Sequence, residues 1–397
     1  MDLFDKCQRF DRAKKLINAG LYPFFREIQE SGCTRVTVNG RELVMVGSNN
    51  YLGLTHHPRV LEAAREALGR YGSSCTGSRF LNGTLSLHEE LEERLARFMG
   101  YPSCVTFPTG FQVNLGVISA LCSKGDIIFC DKENHASIVD GCRLAYAEVL
   151  RFRHGDMADL EAKLANAPKE AGKLVVVDGV FSMLGRITNL PEVVRIAKKY
   201  GARVMVDDAH GVGVLGAHGK GTTEHFDMMG PENGVDIVAG TFSKSLASIG
   251  GFVVANEDVI HYVKHLARSL MFSASVSPPN AASALAALDV IETEPEILTR
   301  LWKNVDKMMD GLATLGFDTM GSSTPIIPIN IGGELETFQV ARNLYEAGLF
   351  VNPVVPPGAP RGLIRTSYMA AHTEEDLDFA LDVFQRLASR FKVAANQ

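Results

Sequence analysis

The sequence predicts an α/β protein with a mainly parallel sheet and a smaller α+β portion near the C-terminus. Three observations predict it. The chain has 397 residues, too many for one ordinary hydrophobic core. Between residues 103 and 254, short apolar runs alternate with helical stretches, the pattern of a parallel sheet covered on both faces. Beyond a long helical stretch at 278–315, further strands and helices follow as a group of their own.

The elements run in this order. Residues 1–45 read as an N-terminal arm: a helical start, the aromatic cluster Leu21-Tyr22-Pro23-Phe24-Phe25, then strands at Thr34–Val38 and Glu42–Val46 joined by the turn signal Asn39-Gly40. Residues 46–290 read as the large domain. Its helices include Pro58–Tyr71 and Leu87–Phe98. Its strands are Ser103–Phe107, Asp126–Cys130, Leu174–Asp178, Val204–Asp207, Ile237–Ala239 and Gly251–Val254. Residues 291–397 read as the small C-terminal domain. It contains a strand at Ile326–Ile331, a helix near Thr337–Ala347, the segment Leu349–Pro357, a strand at Leu363–Thr366 and a final helix from Thr373. There is no internal repeat and no low-complexity tract.

Composition narrows the function classes. The chain is 46% hydrophobic and 22% charged, as in globular proteins. A net charge of −6 with no long basic run argues against a nucleic-acid partner. The seven cysteines are odd in number and irregularly spaced, which suits reduced thiols in a cytoplasm rather than a disulfide framework. No signal peptide is expected from the acidic start Met1-Asp2-Leu3-Phe4-Asp5. No run approaches the roughly 18 apolar residues of a membrane span. Contact with a membrane surface stays open. His56-His57 and His210/His218 lack ligand-like spacing, so no metal is expected.

The chemistry-bearing residues follow strand ends. Lys244 lies between the apolar runs 235–239 and 249–254. Desolvation there makes an amine nucleophilic, as a Schiff-base lysine requires; a solvated surface lysine is the competing reading. Asp207 ends the run Val204–Val206, where open α/β sheets bind ligands. A carboxylate there can keep a pyridine nitrogen protonated, although an ordinary strand-to-loop Asp fits equally. His210 stands three residues on and can reach the same ligand. Thr109-Gly110-Phe111 follows a strand and opens a helix, the arrangement of a phosphate site or of a plain N-capped turn. Thr241 and Ser243 add hydroxyls. His135 follows another strand end and can stack on a ring or serve a structural role. Arg365, on an apolar strand of the small domain, needs an anion, either a substrate carboxylate or an internal acid. Gly211-Val212-Gly213-Val214-Leu215-Gly216 fits a dinucleotide fingerprint, but Ala217-His218-Gly219-Lys220-Gly221 favours a loop where that fingerprint needs a helix.

The joint order of these signals is more specific than any one. The chain reads Ser48-Asn49-Asn50-Tyr51-Leu52-Gly53-Leu54, Gly77-Ser78-Arg79-Phe80-Leu81-Asn82-Gly83-Thr84, Thr109-Gly110-Phe111, Asn134-His135-Ala136-Ser137, Asp207-Asp208-Ala209-His210 and Gly240-Thr241-Phe242-Ser243-Lys244. Over nearly its whole length it resembles the α-oxoamine synthase family of fold-type I enzymes dependent on pyridoxal 5′-phosphate (PLP). The resemblance implies an aminotransferase-like large domain and decarboxylative condensation of an amino acid with an acyl thioester. The segments Tyr22–Ile28, Gly77–Thr84, Asp178–Gly185 and Gly240–Gly251 most resemble the branch that joins L-serine to a long-chain acyl-CoA or acyl carrier protein thioester. Alternatives are alanine with a pimeloyl thioester, a non-condensing PLP enzyme and a nicotinamide oxidoreductase.

By resemblance, Lys244 carries the cofactor, Asp207 pairs with its ring nitrogen, His210 bonds its phenolic oxygen, and His135 stacks on the ring and helps hold the substrate carboxylate. Thr109, Gly110, Phe111, Ser182, Thr241 and Ser243 surround the cofactor. The family builds its sites between two subunits of a homodimer, so Asn50, Tyr51 and Ser273 are expected from the neighbour. Some members carry an arginine just before a Pro-Pro pair. Here Val355 precedes Pro356-Pro357, so any role of that arginine in holding the substrate carboxylate is either absent or filled otherwise, with Arg365 a candidate.

Overall fold

Apolar, β-branched runs such as Leu174-Val175-Val176-Val177 and Val204-Met205-Val206 are buried on both faces, which only a covered sheet allows. The computed structural model describes residues 2–395. Its largest sheet has seven strands: β3 (Ser103–Phe107), β4 (Ile127–Asp131), β5 (Glu148–Phe152), β6 (Lys173–Asp178), β7 (Arg203–Asp207), β8 (Ile237–Thr241) and β9 (Gly251–Ala255). Their order across the sheet is β3-β9-β8-β7-β6-β4-β5. β9 pairs antiparallel with β8 and β3, and the other pairings are parallel. The parallel strands therefore end on one side, and in register: Asp207 lies beside Asp178 on β6 and Ala239 on β8. One face packs helix α1 (Gly110–Leu121) and helix α2 (Ala136–Leu144) through Val113, Val117, Ile118, Ile138 and Cys142.

The chain forms two compact units. One is Asn49–Trp302; the other joins residues up to Ser48 to those from Lys303 onward. The sequence-derived boundaries at 45 and 290 differ from this, for two physical reasons. First, the hairpin of β1 (Arg35–Val38) and β2 (Arg41–Met45), turned at Asn39 and Gly40 with φ of 52° and 70°, is not a free arm. The edge of β2 pairs in parallel with Leu349-Phe350. Val44 and Val46 enter a core with Met308, Ile329, Leu344 and Phe384, so burial of the hairpin's apolar face sets its place. Second, the long helical stretch is two helices, Pro278–Thr293 and Glu296–Thr314, separated at Glu294-Pro295, and the division falls inside the second. The second unit also holds a three-stranded antiparallel sheet of β10 (Ile326–Gly332), β12 (Gly362–Ser367) and β11 (Asn352–Val354), with β12 in the centre.

Candidate active site

Five parallel strand ends and the loops after them surround a cavity of about 330 Å³ in the larger unit. This is the side of an open α/β sheet where ligands bind. After β3 the chain turns at Pro108 into α1. Thr109 caps that helix, its hydroxyl accepting the Gln112 N–H at 3.2 Å, so the first N–H groups of a 12-residue helix open on the cavity. Only glycine fits next: a Cβ at Gly110 would lie 2.7 Å from the Thr241 side chain. That close approach brings the helix end to β8, where Thr241 Oγ1 meets Ser243 Oγ at 2.8 Å and donates to the Gly250 carbonyl at 3.0 Å.

Lys244 follows on the same loop, lines the cavity and is partly buried. Asp207, at the end of β7, lines it too. Its Oδ1 accepts the Ala209 N–H at 3.0 Å and its Oδ2 accepts Asn114 Nδ2 at 2.6 Å. His210 Nδ1 is 2.7 Å from the Tyr51 hydroxyl. His135, the N-cap of α2, faces the Phe111 ring edge-on at 6.2 Å between centroids. Its pKa is lowered chiefly by burial; the Asp207 charge opposes this and the Lys244 charge adds to it.

Three polar residues at or just behind the cavity lie outside those singled out from the sequence: Asp178 and Ser137 line it, and Asn114 stands behind Asp207. Asp178, buried at the end of β6, accepts the His135 N–H on Oδ2 at 3.0 Å. Burial, then the neighbouring Asp207 charge, pushes its carboxyl well above the usual range. Asn114 and Ser137 link α1 to α2 by a bond of 2.8 Å. Asp178 stands at a strand end like Asp207, which is a usable signal; Asn114 and Ser137 become visible only once the two helices are packed.

Other expected residues fall as follows. Ser182 lines the cavity. Asn50 is buried and donates to Thr55 Oγ1 at 2.8 Å, and Tyr51 reaches His210 within one chain. Ser273 Oγ accepts Gln112 Nε2 at 3.1 Å, one turn into α1. Arg365 is buried in the centre of β12, opposite Pro328 and Asn352, in the other unit. Of the glycines of the apparent dinucleotide fingerprint, Gly213 packs on Ser245, Gly216 on Glu224 and Gly211 on Asp208. The Asp208 carboxylate accepts the Thr222 hydroxyl at 2.5 Å and the Thr222 N–H at 2.7 Å. A Cβ at Gly211 or Gly221 would come within 2.0 Å of that carboxylate. No helix opens directly after Gly216, and the next, Thr222–His225, is a single turn beyond the intervening residues 217–221, so this loop lacks the helix end on which a dinucleotide phosphate would rest.

The donors suit PLP. A helix N-terminus with hydroxyls fits a phosphate, a carboxylate fits a pyridine nitrogen, an amine fits an aldehyde, and the Gly110 cradle is closed to any larger side chain. Comparison with known proteins agrees. Residues 41–384 match the aminotransferase class I and II family, and the chain belongs to it. It is a PLP-dependent member with the fold-type I architecture. The chain is 49% identical to the serine palmitoyltransferase of Bacteriovorax stolpii, over 98% of this chain and 93% of that one. A structure of serine palmitoyltransferase from S. paucimobilis, with bound PLP and myriocin, superposes with a TM-score of 0.94 at 37% identity, covering 99% of this chain and all of that one. The 8-amino-7-oxononanoate synthase of Thermoanaerobacter pseudethanolicus is 39% identical over 96% of this chain and 97% of that one.

Proposed function

We propose that this enzyme condenses L-serine with a long-chain acyl thioester, releasing CO2 and the thiol carrier and giving a 3-ketosphinganine-type product. The supporting observation is 49% identity, along almost the whole of both chains, to a protein that performs serine palmitoyl transfer by name. When bound, PLP supplies an aldehyde for amine exchange and a ring that withdraws electrons from the bond being broken.

The residues then divide the work. The end of α1, with Thr241 and Ser243, holds the phosphate. Asp207 holds a proton at the ring nitrogen, and His210, backed by Tyr51, bonds the phenolic oxygen. Lys244 offers the amine that holds the cofactor and later carries the serine α-proton. His135 packs on the ring and donates to the serine carboxylate, a task the sequence also gives to Arg365. Serine α-carbon attack on the thioester carbonyl forms the carbon–carbon bond and expels the thiolate; loss of the carboxylate follows, and a proton replaces it.

We also infer a cytoplasmic homodimer. Among the described residues no helix is long and apolar enough to cross a membrane, and the seven cysteines are free. The test is a crossed assay: serine, glycine, alanine and threonine, each with palmitoyl-CoA and with a pimeloyl thioester, read by thiol release and product mass. Serine with palmitoyl-CoA is expected to be fastest. Faster turnover of alanine with the pimeloyl donor overturns the substrate assignment.

A further inference from the structure

His135 and Asp207 sit at different strand ends, and two interior side chains connect them. Asn114 Nδ2, on α1, donates to Asp207 Oδ2 at 2.6 Å and to Ser137 Oγ at 2.8 Å. Ser137, in the first turn of α2, meets His135 Nδ1 twice, with its hydroxyl at 2.7 Å and its backbone N–H at 3.2 Å. Asn114 and Ser137 are 2% and 1% exposed, so water does not compete for these bonds.

We propose that Asn114 and Ser137 are positioning residues that tie the His135 ring to the Asp207 carboxylate and hold His135 with its proton on Nε2. The consequence for substrate binding rests on the function proposed above.

The direction of every bond follows from the carboxylate. A carboxylate can only accept, so Asn114 must turn its NH2 group toward Asp207; the reversed amide would set oxygen against oxygen. The second N–H of that group then points at Ser137 Oγ, which accepts it. The Ser137 hydroxyl proton is left to donate to His135 Nδ1. The backbone N–H of Ser137 can only donate, and it is aimed at the same nitrogen. A neutral ring nitrogen that accepts carries no proton, so the proton resides on Nε2. The arrangement leaves Asn114 Oδ1 buried without a partner, a cost that folded proteins carry only where something specific is gained.

What is gained is a donor at the cavity. His135 lines the cavity, and no described protein group bonds its Nε2. An Nε2–H there binds a substrate carboxylate, whereas the other tautomer would face it with a lone pair. The charge on Asp207 thereby sets the polarity of a group on a different strand end.

The test begins without cofactor or substrate. Nitrogen NMR of ¹⁵N-histidine-labelled apoprotein, at a pH where the ring is neutral, should show His135 protonated on Nε2 with Nδ1 accepting. Ser137→Ala and Asn114→Ala should both move the Nδ1 resonance, the second without touching the ring. Ser137→Thr, which keeps the hydroxyl, should restore it. In the holoenzyme, Ser137→Ala should weaken serine binding by roughly tenfold to a hundredfold, as expected when a hydrogen bond to a charged group is mis-set. The KM for the acyl thioester should barely change. A proton on Nδ1 in the wild type, or an Nδ1 resonance unmoved by Asn114→Ala, overturns the relay. Should Asn114→Ala not fold, the serine pair decides: equal spectra for Ser137→Ala and Ser137→Thr refute it. Shifted resonances with unchanged serine affinity uphold the relay and refute the cavity as a serine site.

Discussion

Asp207 and Asp208 are neighbours in sequence with separate tasks. Asp207 lines the cavity, while Asp208 is fully buried, anchors Thr222, and has its carboxyl pushed up to about 6 by burial. Asp207→Asn keeps the shape and loses the charge that would hold a proton on the ring nitrogen. PLP should still bind, while exchange of the serine α-hydrogen with deuterated solvent should fall about a hundredfold or more, the scale of losing one preorganised charge contact. Asp208→Asn should leave exchange nearly intact and cost roughly 1–3 kcal/mol of stability through mismatched bonds to Thr222. Exchange near the wild-type rate in Asp207→Asn would remove its role. Lys244→Ala should keep the fold by circular dichroism and lose both turnover and borohydride fixation of PLP to the chain. Fixation at another lysine would refute the assignment.

Among the elements, the segment Gly77–Thr84 is the clearest case of a loop held by buried charge. Arg79 bonds Glu92, and Glu92 also accepts the Thr106 N–H at 2.8 Å and its hydroxyl at 2.9 Å. Burial would raise the Glu92 pKa, and Arg79 with Lys264 overrides it, so the pKa falls below the usual value. Gly77 is pinned from the other side by the Ser275 N–H at 2.9 Å. Arg79→Ala strands a buried carboxylate and should cost about 3–5 kcal/mol, whereas Arg79→Met with Glu92→Leu should cost much less. Equal losses in urea unfolding would show that the pair does not carry the loop. The same contrast explains which elements the sequence reveals. Strands β6 and β7 stand out as unbroken apolar runs. The edge strand β5, Glu148-Val149-Leu150-Arg151-Phe152, mixes charge with apolar residues and has only Phe152 buried, so no apolar run marks it. The break at Glu294-Pro295 is hidden by helical pattern on both sides.

For the whole molecule, the fold class and the cavity's strand-end residues are legible because each depends on local runs and their spacing. The union of the N-terminal hairpin with the C-terminal portion is not, since its partners lie some 300 residues apart. His372 is one of the ties. Its Nδ1 accepts the Met369 N–H at 2.9 Å and its Nε2 bonds the Met45 carbonyl at 3.1 Å. Burial lowers its pKa to about 4, against about 6.5 in an unfolded chain. The unfolded state therefore takes up this proton first as pH falls. The stabilisation is complete above pH 6.5 and is lost between about 6.5 and 4, by on the order of 3 kcal/mol. His372→Gln should flatten that part of the stability curve; an unchanged slope would place the pH dependence elsewhere.

The inferred homodimer makes a further demand on the surface. Leu81 and Phe272 are 78% and 73% exposed. They stand on the two segments that Ser275 joins at Gly77, and Phe80 beside them is half exposed. Large apolar side chains on a firmly pinned surface are the candidate contact face of that dimer. Because Leu81 lies two residues from Arg79 on the same loop, the buried pair would hold that contact face as well as the loop. Leu81→Asp with Phe272→Asp should shift sedimentation to the monomer while leaving the cavity residues in place, since a charge buried at an interface without a partner is strongly disfavoured. Turnover should fall with the dimer fraction if neighbouring subunits complete each site. A wild-type protein that sediments as an active monomer at assay concentration would refute the dimer, and a double variant that remains dimeric would move the interface to another face.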